Sequence, residues 1–208
     1  MILSDREIEA ALDLNQIKID PRPGKELWTS TAIDLTLDNV LLKWKEPKRK
    51  PTGEEPGPHR VWPAKDGFSV QEMTEDSAYA ERFLIPEDGH PLHPKDFVLG
   101  YTRQSIYLPK TSRIAARVEG KSSLARLGVG VHVTAPTIHA GFGFNKKKPE
   151  EPGLRIQLEI FNLGSFIVHL ATGMPICQLI LEEVREVPTK GYIGHFSEQE
   201  AFKVTESP

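Results

Sequence analysis

One cysteine, Cys177, in 208 residues permits neither an internal disulfide nor a zinc site built from several cysteines. No apolar run approaches membrane-spanning length, and Met1, Ile2 and Leu3 lead straight into charge, so no secretory signal is read. An excess of positive charge is also missing: 26 basic against 29 acidic residues leave a net charge of −3. No overall positive field therefore exists to hold nucleic acid or an anionic membrane. Internal repeats are absent as well. The expectation is a cytoplasmic globular protein, residues 1–208 forming a single domain.

What the chain does have is 16 glycines and 17 prolines among 38% hydrophobic residues, a composition suited to many short strands and turns. Its start carries a helix signature: Ser4 as N-cap, Glu7 three residues later, and Leu3 able to staple onto Ile8. Ile8, Ala11 and Leu12 mark the apolar face, and Asn15 ends it. Period-2 alternation then predicts strands at 17–20, 32–37, 97–102, 105–108, 114–118, 129–133 and 154–160, with an apolar run at 176–184 that reads as buried. The predicted class is all-β, a distorted barrel or jelly roll with a short N-terminal helix. Residues 45–60, with four prolines and a basic cluster at Lys45, Lys48, Arg49 and Lys50, read as a flexible loop. From about 191 to 208 periodicity is lost, which predicts a mobile tail.

Two segments could carry chemistry. Gly120-Lys121-Ser122 imitates the end of a phosphate-binding P-loop, but Ala115 stands where that motif needs its first glycine. Lys121, Ser122, Ser123 and Arg126 still supply two cations and two hydroxyls within six residues, an inventory fit for a polyphosphate or for a polar turn. In the strand at 154–160, Arg155, Gln157 and Glu159 share the face opposite the apolar set. Glu159 is an ordinary surface residue if that face meets water, and a proton shuttle if it lines a closed pocket. Of the seven histidines none forms a metalloprotease or zinc-deaminase pattern. His132 reads as a packed, hydrogen-bonded residue, and no nucleophile elbow surrounds Ser122 or Ser123.

These segments resemble the deoxycytidine triphosphate (dCTP) deaminases of the dUTPase-like superfamily. The resemblance runs through SDREIEA at 4–10, IDPRP at 19–23 and AIDL at 32–35. Its most specific blocks are GKSSLARLG at 120–128, VHVTA at 131–135 and LEIFN at 158–162. It implies a dUTPase-like β-clip assembled as a homotrimer, with nucleotide sites between subunits. Glu159 would be the catalytic acid and base. Ser122, Arg126 and the backbone carbonyl of Ala135 would position the water and the cytosine amino group. Lys121, Ser122, Ser123, Leu124, Ala125, Arg126, His139, Gln157 and Leu158 fall at substrate-binding positions. Tyr192, His195 and Gln199 fall where the family's tail closes over the triphosphate, His195 standing where lysine is usual.

The implied reaction is dCTP to dUTP and ammonia, feeding thymidylate synthesis, with dTTP as a feedback inhibitor. No tightly bound cofactor is expected; Mg2+ would accompany the triphosphate. A zinc deaminase activates water on a metal held by Cys and His, which one cysteine cannot build, so carboxylate catalysis is the expectation. Two departures from the family stand out. His139-Ala140 precedes Gly141 where the family carries Asp-Pro. In dUTPase relatives that Asp orients the hydrolytic water, so its absence argues against a dUMP-forming, bifunctional enzyme or a dUTP diphosphatase, and leaves room for a non-catalytic nucleotide-binding regulator. Residues 145–153 (NKKKPEEPG) read as an inserted hairpin.

Overall fold

The computed structural model describes residues 1–47, 57–132, 134–144 and 152–190. The tail from residue 191, most of the 145–153 insertion, the middle of the 45–60 loop and Val133 lie outside the described residues. The chain opens with α1 (Asp5–Asp13) and β1 (Lys18–Asp20), then β2 (Ile33–Thr36), β3 (Val40–Trp44), α2 (Val70–Glu75), β4 (Ala80–Leu84) and β5 (His90–Leu92). It continues through β6 (Phe97–Tyr107), β7 (Ile114–Gly120), α3 (Ser122–Ala125), β8 (Val129–Val131) and β9 (Thr137–Ile138). It closes with β10 (Leu154–Asn162), β11 (Val168–Leu170) and β12 (Pro175–Glu183).

The capping box of α1 forms as its residues dictate. Ser4 Oγ accepts from the Glu7 N–H at 3.4 Å, and the Ser4 N–H donates to the Glu7 carboxylate at 2.7 Å. Such a cap contributes about 1 kcal/mol. Ile8, Ala11 and Leu12 are buried, and Asn15 turns the chain with φ of 54°.

The strands wrap one core in a mostly β, jelly-roll-like arrangement of three sheets. One runs β4-β3-β6-β10-β8 with β1 also on β6, a second runs β2-β12-β7-β9, and β11 pairs with β5. Leu35, Leu41, Leu92, Ile106, Leu158 and Leu179 meet in the main core. A smaller cluster of Val40, Leu42, Ala80, Leu99 and Tyr101 forms on the far side of β3 and β6. The two strands expected at 97–102 and 105–108 are one strand, β6. The change of face between them is absorbed by a bulge in β6, where Arg155 pairs with Ser105 but Gln157 with Tyr101, so that residues 102–104 stand against Ile156 alone. Buried polar side chains satisfy the backbone there: Thr102 Oγ1 accepts from the Ile156 N–H at 3.0 Å, and Gln104 bonds both the backbone and the hydroxyl of Thr36. No helix among the described residues is long and apolar enough to cross a membrane.

His90 sits half-buried against Phe83, its ring centroid 4.8 Å from the phenyl. Burial, then Lys43, lowers its pKa, with His93 and His169 adding to the effect and Asp96 opposing it. The folded chain therefore takes up this proton less readily than the unfolded chain, whose histidines titrate near pH ~6.5. This stability is complete above about pH 6.5 and is lost as pH falls below it. The urea midpoint is expected to drop between pH 7.5 and 5.5, by less in His90→Gln. An identical drop in both proteins refutes the assignment.

Candidate functional site

The site is built on β10. Leu154, Ile156, Leu158 and Ile160 point into the core, so strand alternation turns Arg155, Gln157 and Glu159 to the other face. That face is not open surface. It lines a cavity of about 270 Å3 together with His132, Ala135, Thr137, Ile138, His139 and Phe142. Of the residues expected to touch a substrate, Glu159, Gln157, Ala135 and His139 are thus brought together. Leu154 and Ile156 of the same strand also reach the cavity wall, whereas Leu158 is not among the lining residues and is fully buried in the core.

Glu159 is the only carboxylate lining the cavity among the described residues. Its side chain is 34% exposed, and His132 Nδ1 lies 2.8 Å from Oε2. The contact is not in line for a hydrogen bond: Glu159 Oε2 and both His132 ring nitrogens are buried without hydrogen-bond partners among the described residues. Buried polar atoms in that condition are costly and mark a place where a ligand or water is wanted. His132 is packed, as expected, but the expected hydrogen bond to its ring is not there. Its backbone adopts a left-handed conformation with φ of 52°, unfavourable for a residue with a side chain. The turn is held by its N–H, which donates to the Glu159 carbonyl at 3.0 Å. Alternation alone puts His132 among valines and carries no signal that it meets Glu159 across the strand pair.

Further along the cavity Gln157 Nε2 donates to the Tyr101 hydroxyl at 3.3 Å. At the rim Arg155 is paired with Asp38. Sequence patterning placed Arg155 on this face without showing its partner. Among the described residues no group of three or more His, Cys, Asp or Glu side chains is placed to hold a metal ion.

The second candidate segment folds as the single-turn helix α3, with Ser122, Ser123, Ala125 and Arg126 exposed, Leu124 in the core and Lys121 partly buried against Asp34. None of these residues lines the cavity. Their position follows from pairing. α3 leads directly into β8, and Val129 at the start of β8 pairs with Asn162 at the end of β10, three residues or about 10 Å beyond Glu159. One chain therefore presents an acid in a pocket and a cation–hydroxyl cluster some distance away. The cavity is also smaller than the roughly 300–1,000 Å3 usual for an entire small-molecule site. The positions of Tyr192, His195 and Gln199 lie outside the described residues.

Comparison with known proteins accords with this geometry. A family model described as dCTP deaminase-like matches residues 2–184. A protein of Methanosphaera stadtmanae named "dCTP deaminase, dUMP-forming" is 33% identical over 195 residues, covering 93% of this chain and 84% of its own. One of Rhodospirillum rubrum named "dCTP deaminase" is 32% identical over 192 residues, covering 92% and 87%. The solved 2'-deoxycytidine 5'-triphosphate deaminase of Agrobacterium tumefaciens superposes over 88% of this chain with a TM-score of 0.61. At 17% identity it supports the fold alone, and this chain spans 48% of that chain's length.

Gly128 fixes α3 against the end of β10. Its φ is +89°, and a Cβ there would lie 2.3 Å from the Gly164 nitrogen, with backbone on both sides and nothing able to yield. Gly128→Ala is expected to cost roughly 2–4 kcal/mol from strain and overpacking together. A urea midpoint unchanged from the parent contradicts that.

Proposed function

The chain belongs to the dCTP deaminase-like family, and from that premise we propose that it hydrolyses the exocyclic amine of dCTP, releasing ammonia, with Glu159 as the acid and base. The observation that carries this reading is the Glu159 carboxylate in the cavity, the only one there among the described residues, its Oε2 buried beside His132 and without a hydrogen-bond partner among them. Glu159 takes a proton from water as the oxygen bonds to C4 of cytosine and passes it to ring N3; it then takes the proton of the new C4 hydroxyl and passes it to the amine. The C4–N bond breaks, ammonia leaves, and C4 retains the oxygen as a carbonyl. Gln157 and the carbonyl of Ala135 are at hand to hold the base. Ser122 and Arg126 stabilise developing charge, and Lys121 and Ser123 join them on the phosphates. Mg2+ belongs to this scheme as part of the substrate, carried on the triphosphate.

Because α3 lies away from the cavity of its own chain, the complete site in this reading forms between chains of a homotrimer. Exposed apolar side chains beside α3 support such an interface, among them Leu163 (79% exposed) and Phe166 (60%). For the product, His139 in the cavity in place of the family's Asp favours dUTP. The second reading is dUMP with pyrophosphate, favoured by the names of relatives such as the Methanosphaera protein. The deamination is common to both.

Glu159→Gln is expected to abolish ammonia release while leaving dCTP binding nearly intact, since the amide keeps the shape and loses the proton transfer. Retained turnover would falsify the assignment. Assaying ammonia and pyrophosphate together decides the product: ammonia alone means dUTP, and equal amounts of both mean dUMP. Mixing the inactive variants Glu159→Gln and Arg126→Ala, unfolding and co-refolding, tests the shared site. Random mixed trimers regain about a quarter of the parental rate, whereas a site contained in one chain stays inactive.

A further inference from the structure

Resting on the reading of Lys121 as a phosphate ligand, we infer that Asp34, held in turn by Gln178, is a positioning residue that presents the Lys121 ammonium to the triphosphate. Lys121 stands at the N-cap of α3 but offers no side-chain cap to that helix. Its Nζ is instead paired with Asp34 Oδ2. The other carboxylate oxygen, Oδ1, accepts from Gln178 Nε2 at 3.0 Å. Asp34 and Gln178 face each other in register on β2 and β12, and the next residue of β12 inward, Cys177, pairs with Gly120 immediately before Lys121. Three strands of one sheet thereby fix the end of a side chain that would otherwise swing on a four-carbon stem.

Asp34 is 8% exposed, so its charge sits where an unpaired carboxylate would be strongly unfavourable. The charge is felt nearby: burial first, and then Asp34, push the Cys177 thiol up to about 12, with Lys121 acting in the opposite direction. A merely structural ion pair would serve equally well with both groups enclosed. Here the carboxylate is enclosed and the lysine side chain remains 21% exposed, beside the exposed hydroxyls of Ser122 and Ser123. An ammonium has three donors, and the bond to Asp34 takes one. The pairing therefore aims the cation at the surface on which α3 displays its hydroxyls, with the rotamer entropy of lysine already lost before an anion arrives.

The test is a double-mutant cycle on the full-length protein, using dCTP, dCDP and dCMP as probes. Asp34→Asn is expected to raise KM for dCTP about tenfold with kcat within about twofold, the effect shrinking as phosphates are removed. Lys121→Ala is expected to do the same, and the double variant to be no worse than Lys121→Ala alone, because both changes remove one interaction. Asp34→Glu restores part of the loss. If Asp34→Asn does not fold, Gln178→Met carries the same comparison, with a smaller rise in KM. Additive effects of Asp34→Asn and Lys121→Ala, or equal losses for dCTP and dCMP, overturn the positioning role. Lys121→Ala without any effect on KM overturns instead the assignment of Lys121 to phosphate, an outcome separate from failure of Asp34→Asn alone.

Discussion

The site depends on the two-residue period of β10. Four aliphatic side chains of that strand, at 154, 156, 158 and 160, are buried between the sheets. Each contributes roughly 1.5–3 kcal/mol of burial. A one-residue slip would expose all four and bury Arg155, Gln157 and Glu159 in their place, an exchange the fold cannot accommodate. The face that carries Glu159 is thus held in place by the burial of the hydrophobic face. The bulge at residues 102–104 of β6 adjusts this arrangement locally, and the Thr36–Gln104–Thr102 network satisfies the backbone that the bulge leaves unpaired.

A second constraint comes from one short segment. Asp34 lies in β2 and Asp38 just beyond it, and each holds a cation of a different part of the site: Lys121 ahead of α3 and Arg155 at the cavity rim. Long basic side chains lose considerable entropy when a ligand orders them. Anchoring them to carboxylates in β2 and just after it moves that loss into folding. The cavity with Glu159 and the exposed cluster on α3 are each rigid, and they are separated because they lie at different ends of the β8–β10 pairing.

Much of this was legible from local pattern. The capping box at Ser4 and Glu7, the alternation of β2, β7 and β10, and the grouping of Arg155, Gln157 and Glu159 on one face all follow from side-chain periodicity and polarity, whereas β12, read as an apolar run buried throughout, alternates between buried and half-buried residues over most of its length. Elements with weak or mixed signals did not emerge: β4, β5 and β11 are short, and α2 has one buried residue, Thr74. α3 read as a turn because four residues are too few to show a helical period.

By itself the sequence determined which residues of β10 are inward and which outward, and hence that a carboxylate, an amide and a guanidinium share one face of that strand. It also determined that chemistry requiring several cysteines is out of reach. Only the tertiary structure decided that this outward face lines a cavity, that His132 meets Glu159, and that Asp34 holds Lys121. The last two join residues 27 and 87 positions apart, and a contact between distant segments depends on sheet register and turn geometry, which no local periodicity encodes.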